Sequence, residues 1–294
     1  MHSPRSTRRI AAVHDLSGVG RVSLTVVMPI LTTMGFDVCP LPTAILSNHT
    51  QYPSFSFLDL TDEMPKIIAE WEKLGVDFDA IYTGYLGSPR QIRIVADFID
   101  RFRKPETLIV VDPVLGDNGK LYAGMSEDMV GEMRTLARRA DVLTPNLTEL
   151  FALLGRPFHA SCTDAELKDA IIELSERREH GPDTVIITGV PVVDQPKLTS
   201  VIARSRSDGR CWKVTCPYMP AHYPGTGDAF TSVITGSLLQ GDSLPIALDR
   251  AAQFILQGIR ATFGYQGDNR EGILLERVLP NLANPIQSAS WELL

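Results

Sequence analysis

The densest group of chemically capable residues in this 294-residue chain is Pro224-Gly225-Thr226-Gly227-Asp228-Ala229-Phe230, directly ahead of a helical stretch, Thr231 to Gln240. Two glycines around a threonine at a helix start let backbone N–H groups converge where the helix dipole adds positive charge, which makes an anion hole. An aspartate in the first turn beside such a hole can take a proton from an attacking hydroxyl while the hole stabilises a transferring phosphoryl group. The chemistry implied is phosphate transfer to an alcohol. The same residues also read as an ordinary helix start, with Asp228 favouring the dipole and the glycines serving a turn, and both readings stand at this level. The loop is neither GxxxxGK[ST] nor GxGxxG, which argues against the usual P-loop and the dinucleotide fingerprint.

Positioning such a site is the work of the surrounding elements. Short β-branched runs alternate with longer amphipathic stretches, the signature of parallel strands joined by crossover helices, so the class is α/β. Strands are expected at Ile10 to His14, Asp37 to Thr43, Ala80 to Thr83, Thr107 to Asp112, Asp141 to Leu143 and Thr184 to Thr188. A hairpin of Thr199 to Ser205 with Arg210 to Cys216 turns at Asp208-Gly209. Helices are expected at Val22 to Met34 (bent near Pro29), Thr61 to Leu74, Pro89 to Arg103 with Ser88 as cap, Glu127 to Arg139, Asp164 to Arg178, Thr226 to Gln240 and Ser243 to Arg260. Ligands of open parallel sheets bind at the carboxyl ends of the strands. Those ends deliver His14-Asp15, Thr43, Thr83-Gly84-Tyr85, Asp112-Pro113, Thr144-Pro145-Asn146 and Thr188-Gly189.

Composition narrows the partners. Lys plus Arg number 28 against 35 Asp plus Glu, a formal charge of −7 that matches a nucleic-acid backbone poorly and leaves a small molecule as the expected partner. No apolar run reaches the roughly 18 residues of a membrane span, and the basic start (Arg5, Arg8, Arg9) precedes too short an apolar segment for a signal peptide. Cys39, Cys162, Cys211 and Cys216 form no CxxC pair and read as reduced thiols in a cytoplasmic protein. No linker, repeat or charge block divides residues 1–294, so one domain is expected, with 1–8 and 284–294 peripheral.

The segment Gly225 to Phe230 resembles the signature near the C-terminal end of ribokinase-like kinases, whose fold is a three-layer αβα sandwich around a mostly parallel sheet. Within that superfamily the chain looks most like pyridoxal kinases. The resemblance rests also on Ser47-Asn48-His49-Thr50-Gln51-Tyr52, Thr83 to Gly87, Val111 to Asp117 and Thr144 to Glu149, which occur in the family's order over about residues 10 to 265. It implies Asp228 as catalytic base, with Gly225, Thr226 and Gly227 as the anion hole. It further implies Asp112 and Glu149 organising Mg²⁺, partly through water, and Asp117, Thr144, Asn146, Thr188 and Thr226 near ATP. Ser47, His49, Thr50 and Tyr85 correspond to the ring-binding part, with Asp15 and Ser17 also assigned to the acceptor. Each has a plainer reading: Asp112 as strand-end turn chemistry, Glu149 as a first-turn helix acid, His49 and Tyr85 as core residues.

The resemblance also implies a homodimer and, without any signature in the residues, a monovalent cation such as potassium. Asp117 to Gly124 reads as a polar loop suited to cover the nucleotide, and Ala251, Ala252 and Ile255 as an apolar wall for adenine. The expected reaction is ATP-dependent phosphorylation of the 5′-hydroxymethyl of pyridoxal, pyridoxine or pyridoxamine. The Asp15-to-Arg21 loop departs from many pyridoxal kinases and is similar to the Ser-Gly-rich loop of hydroxymethylpyrimidine kinases, the nearest alternative. Sugar kinases stand third, and a vitamer-binding protein without turnover is the alternative of another class.

Overall fold

The computed structural model describes residues 6–176, 181–265, 267–283 and 290–294. The end of the helix expected to reach Arg178, the first five residues and 284–289 lie outside the described residues. The elements in chain order are β1 (Arg9–Ser17), α1 (Leu24–Thr33), β2 (Asp37–Leu46), β3 (Phe57–Asp59), α2 (Met64–Lys73), β4 (Ala80–Thr83), α3 (Pro89–Phe102) and β5 (Leu108–Val111). A small hairpin, β6 (Gly116–Asp117) and β7 (Lys120–Leu121), precedes α4 (Glu127–Ala137), β8 (Val142–Leu143), α5 (Leu147–Leu154) and α6 (Asp164–Ser175). The chain closes with β9 (Thr184–Pro191), β10 (Leu198–Ser205), β11 (Cys211–Pro217), α7 (Thr226–Gln240), α8 (Leu244–Thr262), α9 (Leu275–Val278) and β12 (Trp291–Leu293).

Ten strands form one sheet in the order β12-β11-β10-β9-β8-β5-β4-β1-β2-β3. The six central strands from β9 to β2 run parallel, and antiparallel strands extend both edges. Alternation along the strands divides the core. Ala11, Val13, Ile81, Ile109 and Val111 face α2 to α6, whereas Ile10, Ala12, Tyr82 and Val110 face α1, α7, α8 and α9. The architecture is the expected αβα sandwich.

Strand order reverses between β1 and β4, since the chain leaves β1 for β2 on one side and reaches β4, β5, β8 and β9 on the other. That reversal opens a crevice at their carboxyl ends. Helix α7 covers it. The helix is buried nearly throughout, and close contact with α1 is possible because Gly236 carries no Cβ to strike Met34. Its hydroxyl side chains bond back to its own carbonyls, as Thr235 does to Thr231 and Ser232 to Asp228.

Several boundaries differ from the sequence-based expectation for local reasons. Strand β1 continues to Ser17, so Asp15 and Ser17 lie in the strand rather than after it, and Pro29 sits inside α1 without ending it. Helix α2 begins at Met64, not Thr61: Asp59 Oδ1 accepts from the Thr61 N–H and turns the chain first. Strand β9 runs past Thr188 to Pro191 through a bulge at Gly189, whose φ is 65°. The Asp117–Gly124 stretch begins as a hairpin, with Asn118 (φ 52°) and Gly119 (φ 77°) as a left-handed two-residue turn. Ala251 and Ala252 are core residues of α8. The tail supplies β12, paired with β11 and set edge to face through Trp291 against Trp212. Among the described residues no helix is long and apolar enough to cross a membrane.

On the α2–α6 face Phe98 is fully buried, with its ring centroid 4.8 Å from Phe102, 5.9 Å from Phe78 and 6.0 Å from Trp71. Phe98→Ala is expected to lower the urea unfolding free energy by about 3–5 kcal/mol while the remaining folded protein keeps its activity.

Candidate active site

Asp228 stands in the first turn of α7, above the β1–β4 crevice. The turn before it depends on Gly225, which adopts φ 77° and whose absent Cβ would overlap the Arg21 carbonyl oxygen. Packing does not demand Gly227 in the same way: a Cβ there would meet only Asp112 Oδ2, at 4.0 Å, and would project into the open helix start. The first helical bond of α7 is from the Ala229 N–H to the Gly225 carbonyl. The N–H groups of Thr226, Gly227 and Asp228 precede it and point out of the N-terminus, as an anion requires. Thr226 turns its hydroxyl back to the Tyr223 carbonyl.

The backbone of α1 holds the aspartate. Ser23, with φ 52° and ψ −132°, donates its N–H to Asp228 Oδ2 at 2.8 Å and its hydroxyl to Asp15 Oδ1 at 2.5 Å. A non-glycine residue in that conformation carries about 1–3 kcal/mol of strain, and here the strained residue joins two carboxylates. Ser17 donates to the other oxygen of Asp15 at 3.1 Å. Burial pushes the Asp15 carboxyl up, opposed by those two hydroxyls, and the half-buried Tyr85 lies close enough to feel its charge. Asp228 is pushed up to about 7, by burial first and by Asp15 second, against the Ser23 N–H that holds it down. Its side chain remains 14% exposed toward the crevice, so an arriving hydroxyl can reach it.

A second carboxylate pair lies one strand over. Asp112 follows β5, and Thr231, one turn after Asp228, places its hydroxyl 3.4 Å from Asp112 Oδ2 and 3.1 Å from the Thr144 hydroxyl. Glu149 closes a capping box with Asn146 at the start of α5, and its Oε1 also accepts from the Leu115 N–H at 3.1 Å. Burial raises Asp112 well above the usual carboxylate range, with Glu149 and Asp228 adding to it; burial likewise raises Glu149, to about 8. Among the described residues no group of three or more His, Cys, Asp or Glu forms a metal cage. Two buried carboxylates that repel each other still fit a hard divalent cation that keeps most of its waters. Glu149, with both oxygens already accepting backbone N–H groups, suits contact through water.

Asn146 also reaches the Gly116 carbonyl at 2.8 Å and bridges Thr188 on β9, while Thr148 accepts from the Gly119 N–H. The hairpin bearing Asp117 is therefore tied to the start of α5. Tyr122, just beyond it, is raised by burial and by Glu149, Asp117, Asp112 and Asp228 in turn, so it overlooks all four acids. The geometry thus brings together Asp15, Ser17, Tyr85, Asp112, Thr144, Thr226 and Asp228, and beside them Asp117, Asn146, Glu149 and Thr188.

The Ser47–Thr50 segment sits at the rim. Gly18 and Val19 donate to the Leu46 and Ser47 carbonyls. The Ser47 hydroxyl donates to Asn48 and accepts from the Ser56 N–H, and Thr50 is exposed. His49 is buried with both ring nitrogens engaged, Nε2 at 2.6 Å from the Arg270 carbonyl and Nδ1 accepting from the Gln51 N–H. It packs where a side chain on Gly20 would stand, and so latches this loop to the segment before α9. Sequence reasoning overlooked Ser23, Tyr122 and Thr231. For Thr231 the signal was there, three residues after Asp228 and so on the same helix face; Ser23 is chosen by its backbone conformation, which no pattern announces.

Residues 32–271 match the sequence family described as phosphomethylpyrimidine kinase. A Bacteroides thetaiotaomicron protein assigned to the phosphomethylpyrimidine kinases, crystallised with pyridoxal, is 72% identical to this chain. Its structure superimposes with a TM-score of 0.95 over 98% of this chain and 100% of its own. The crystal structure of pyridoxal kinase from Lactobacillus plantarum, 33% identical, has a TM-score of 0.86 over 94% of this chain and 97% of that one. The pyridoxine/pyridoxal/pyridoxamine kinase of Bordetella avium is 30% identical over 267 residues, 86% of this chain and 85% of that protein. With residues 32–271 matching and the αβα sheet shared with these relatives, this chain belongs to the phosphomethylpyrimidine kinase family of ribokinase-like kinases and is similar to pyridoxal kinases.

Proposed function

We infer that the chain is an ATP-dependent pyridoxal kinase that phosphorylates the 5′-hydroxymethyl group of vitamin B6 vitamers. The observation that carries the acceptor is the pyridoxal held in crystals of the 72% identical relative. The residues supply the rest. Asp228, held by Ser23 N–H and raised to about 7, takes the proton from the 5′-hydroxyl as its oxygen forms a bond to the γ-phosphorus of ATP. The bond from that phosphorus to the β–γ bridging oxygen breaks, and ADP departs. The N–H groups of Thr226 and Gly227 and the dipole of α7 receive the charge on the transferring group. Asp15, Ser17 and Tyr85 border the place where the ring must lie for its hydroxymethyl to reach Asp228, and Ser47 to Thr50 form the outer rim. Asn146, Thr188, Thr144 and Asp117 line the nucleotide side.

Asp112 and Glu149 would hold Mg²⁺, which supplies charge neutralisation of the nucleotide phosphates. We further propose that residues 1–294 act as one domain in the cytoplasm, with all four cysteines free. A homodimer is part of the same reading. Support for it comes from the exposed Ile45, Phe57 and Leu58 along the β2–β3 edge, and sedimentation at twice the 32.4 kDa chain mass would bear it out.

Turnover measured across the three vitamers and hydroxymethylpyrimidine should favour a vitamer; preference for the pyrimidine would refute the reading. Asp228→Asn should lose about 10²–10⁴-fold in kcat, and the parent's activity should fall as pH drops through about 7 and Asp228 binds a proton. Stability moves the other way. A carboxyl raised from 3.8 to about 7 by folding binds more protons folded than unfolded between those values, so its contribution to stability declines as pH rises through that window. Asp228→Asn should therefore melt higher than the parent at pH 8, and the gap should close toward pH 4.

Three further substitutions separate metal from phosphate. Asp112→Asn is expected to raise the Mg²⁺ concentration needed for half-maximal rate at least about tenfold while the vitamer KM changes little. Gly225→Ala should lower the melting temperature as well as the rate, because it clashes with the Arg21 carbonyl. Gly227→Ala should leave melting unchanged and raise KM for ATP.

A further inference from the structure

Phosphate transfer as described leaves the imidazole of His14 unused. His14 is fully buried beneath α7, edge-on to Tyr82 with ring centroids 4.5 Å apart, and its Nδ1 lies 3.8 Å from Asp228 Oδ1. Among the described residues neither ring nitrogen has a hydrogen-bond partner. A buried N–H and a buried lone pair left open each cost on the order of 1–3 kcal/mol, so a histidine that served packing alone would be outcompeted by an apolar ring. Gly84 makes the same point independently. Its φ is not in the left-handed region, yet a Cβ there would overlap His14 Nδ1, so the glycine serves to admit this ring. Burial lowers the imidazole to about 3, which keeps it neutral.

We propose that His14 is a positioning residue for Asp228: as the neutral Nδ1–H tautomer it faces Oδ1 of the carboxylate while the Ser23 N–H holds Oδ2, and the two fix the carboxylate plane toward the acceptor hydroxyl. The 3.8 Å separation is longer than a hydrogen bond, so the N–H acts as a dipole directed at the carboxylate across a dry contact. Of the two tautomers this one leaves only the Nε2 lone pair open rather than an N–H, the less costly of the two. The inference rests on Asp228 being the base.

Two measurements test it. In the ¹⁵N-labelled full chain, the His14 ring resonances, identified by their loss in His14→Phe, are expected to show a protonated Nδ1 whose shift moves in Asp228→Asn. An Nε2–H tautomer, or a shift indifferent to that substitution, would overturn the proposal, whatever the protein phosphorylates. In turnover of pyridoxal with ATP, His14→Phe keeps the ring against Tyr82 and is expected to lose about 10- to 100-fold in kcat with KM for both substrates within about twofold. His14→Gln, which restores an N–H donor, should recover most of that loss, and Gly84→Ala, which crowds the ring without removing a polar group, should show the same kcat-selective defect. Parental kcat in His14→Phe, or a Gln variant no better than Phe, would sink the inference. A parent that phosphorylates no vitamer would defeat the assigned function instead, and the resonance measurement would still decide the role of His14.

Discussion

The site depends on one close approach, that of Gly225 to the carbonyl of Arg21. Only a residue without a side chain lets the turn before α7 rest on the backbone that leads into α1, and only in that seat does the Ser23 N–H meet Asp228. The two helices meet there at their N-terminal ends, so their dipoles add at one spot. The strain in Ser23 belongs to the same arrangement. A relaxed residue would turn its N–H elsewhere, and the carboxylates of Asp15 and Asp228 would lose their common support.

That seat concentrates negative charge where more must come. Burial raises Asp15, Asp112, Asp228 and Glu149 alike, and neighbouring carboxylates add to it at Asp112, Asp228 and Glu149. Such a cluster costs stability, and clusters of that kind mark sites where a strained electrostatic arrangement serves function; under the proposed reaction Asp228 would accept the proton and Asp112 with Glu149 would attract a divalent cation. With a net charge of −7 the chain cannot draw ATP by its overall field. Attraction has to be local, as at the helix N-termini.

The sheet organises these groups by parity. His14, Tyr82 and Asp112 fall on the face beneath α7, whereas Val13, Thr83 and Val111 fall on the other. Because α7 lies on that face beside α1, the spacing from Asp228 to Thr231 becomes contact with Asp112 through a hydroxyl. His49 shows the opposite outcome. Its motif suggested ligand contact, yet its nitrogens are engaged by Arg270 and Gln51, so it shapes the rim through the loop it anchors.

Much was legible in the linear chain because local rules govern it. Alternation and helical spacing marked the central strands and most of the helices. Ser88 announced its cap and Gly225-Thr226-Gly227-Asp228 its helix start, since each motif is completed within a turn of itself. The hairpin at Asn118-Gly119, the edge strand β3 and the bulge at Gly189 are too short to show a strand period, and β12 pairs with β11 about 80 residues away, so none is marked by local spacing. Partnership was decided by the tertiary structure alone. Ser23 meets Asp228 across 205 positions and Thr231 meets Asp112 across 119, and Gly84 is glycine on account of His14, 70 residues earlier. Residue types and their local spacing determine which chemistry a chain is equipped for. Which carboxylate is buried, held and raised toward neutrality follows from packing between segments, and local spacing carries no record of it.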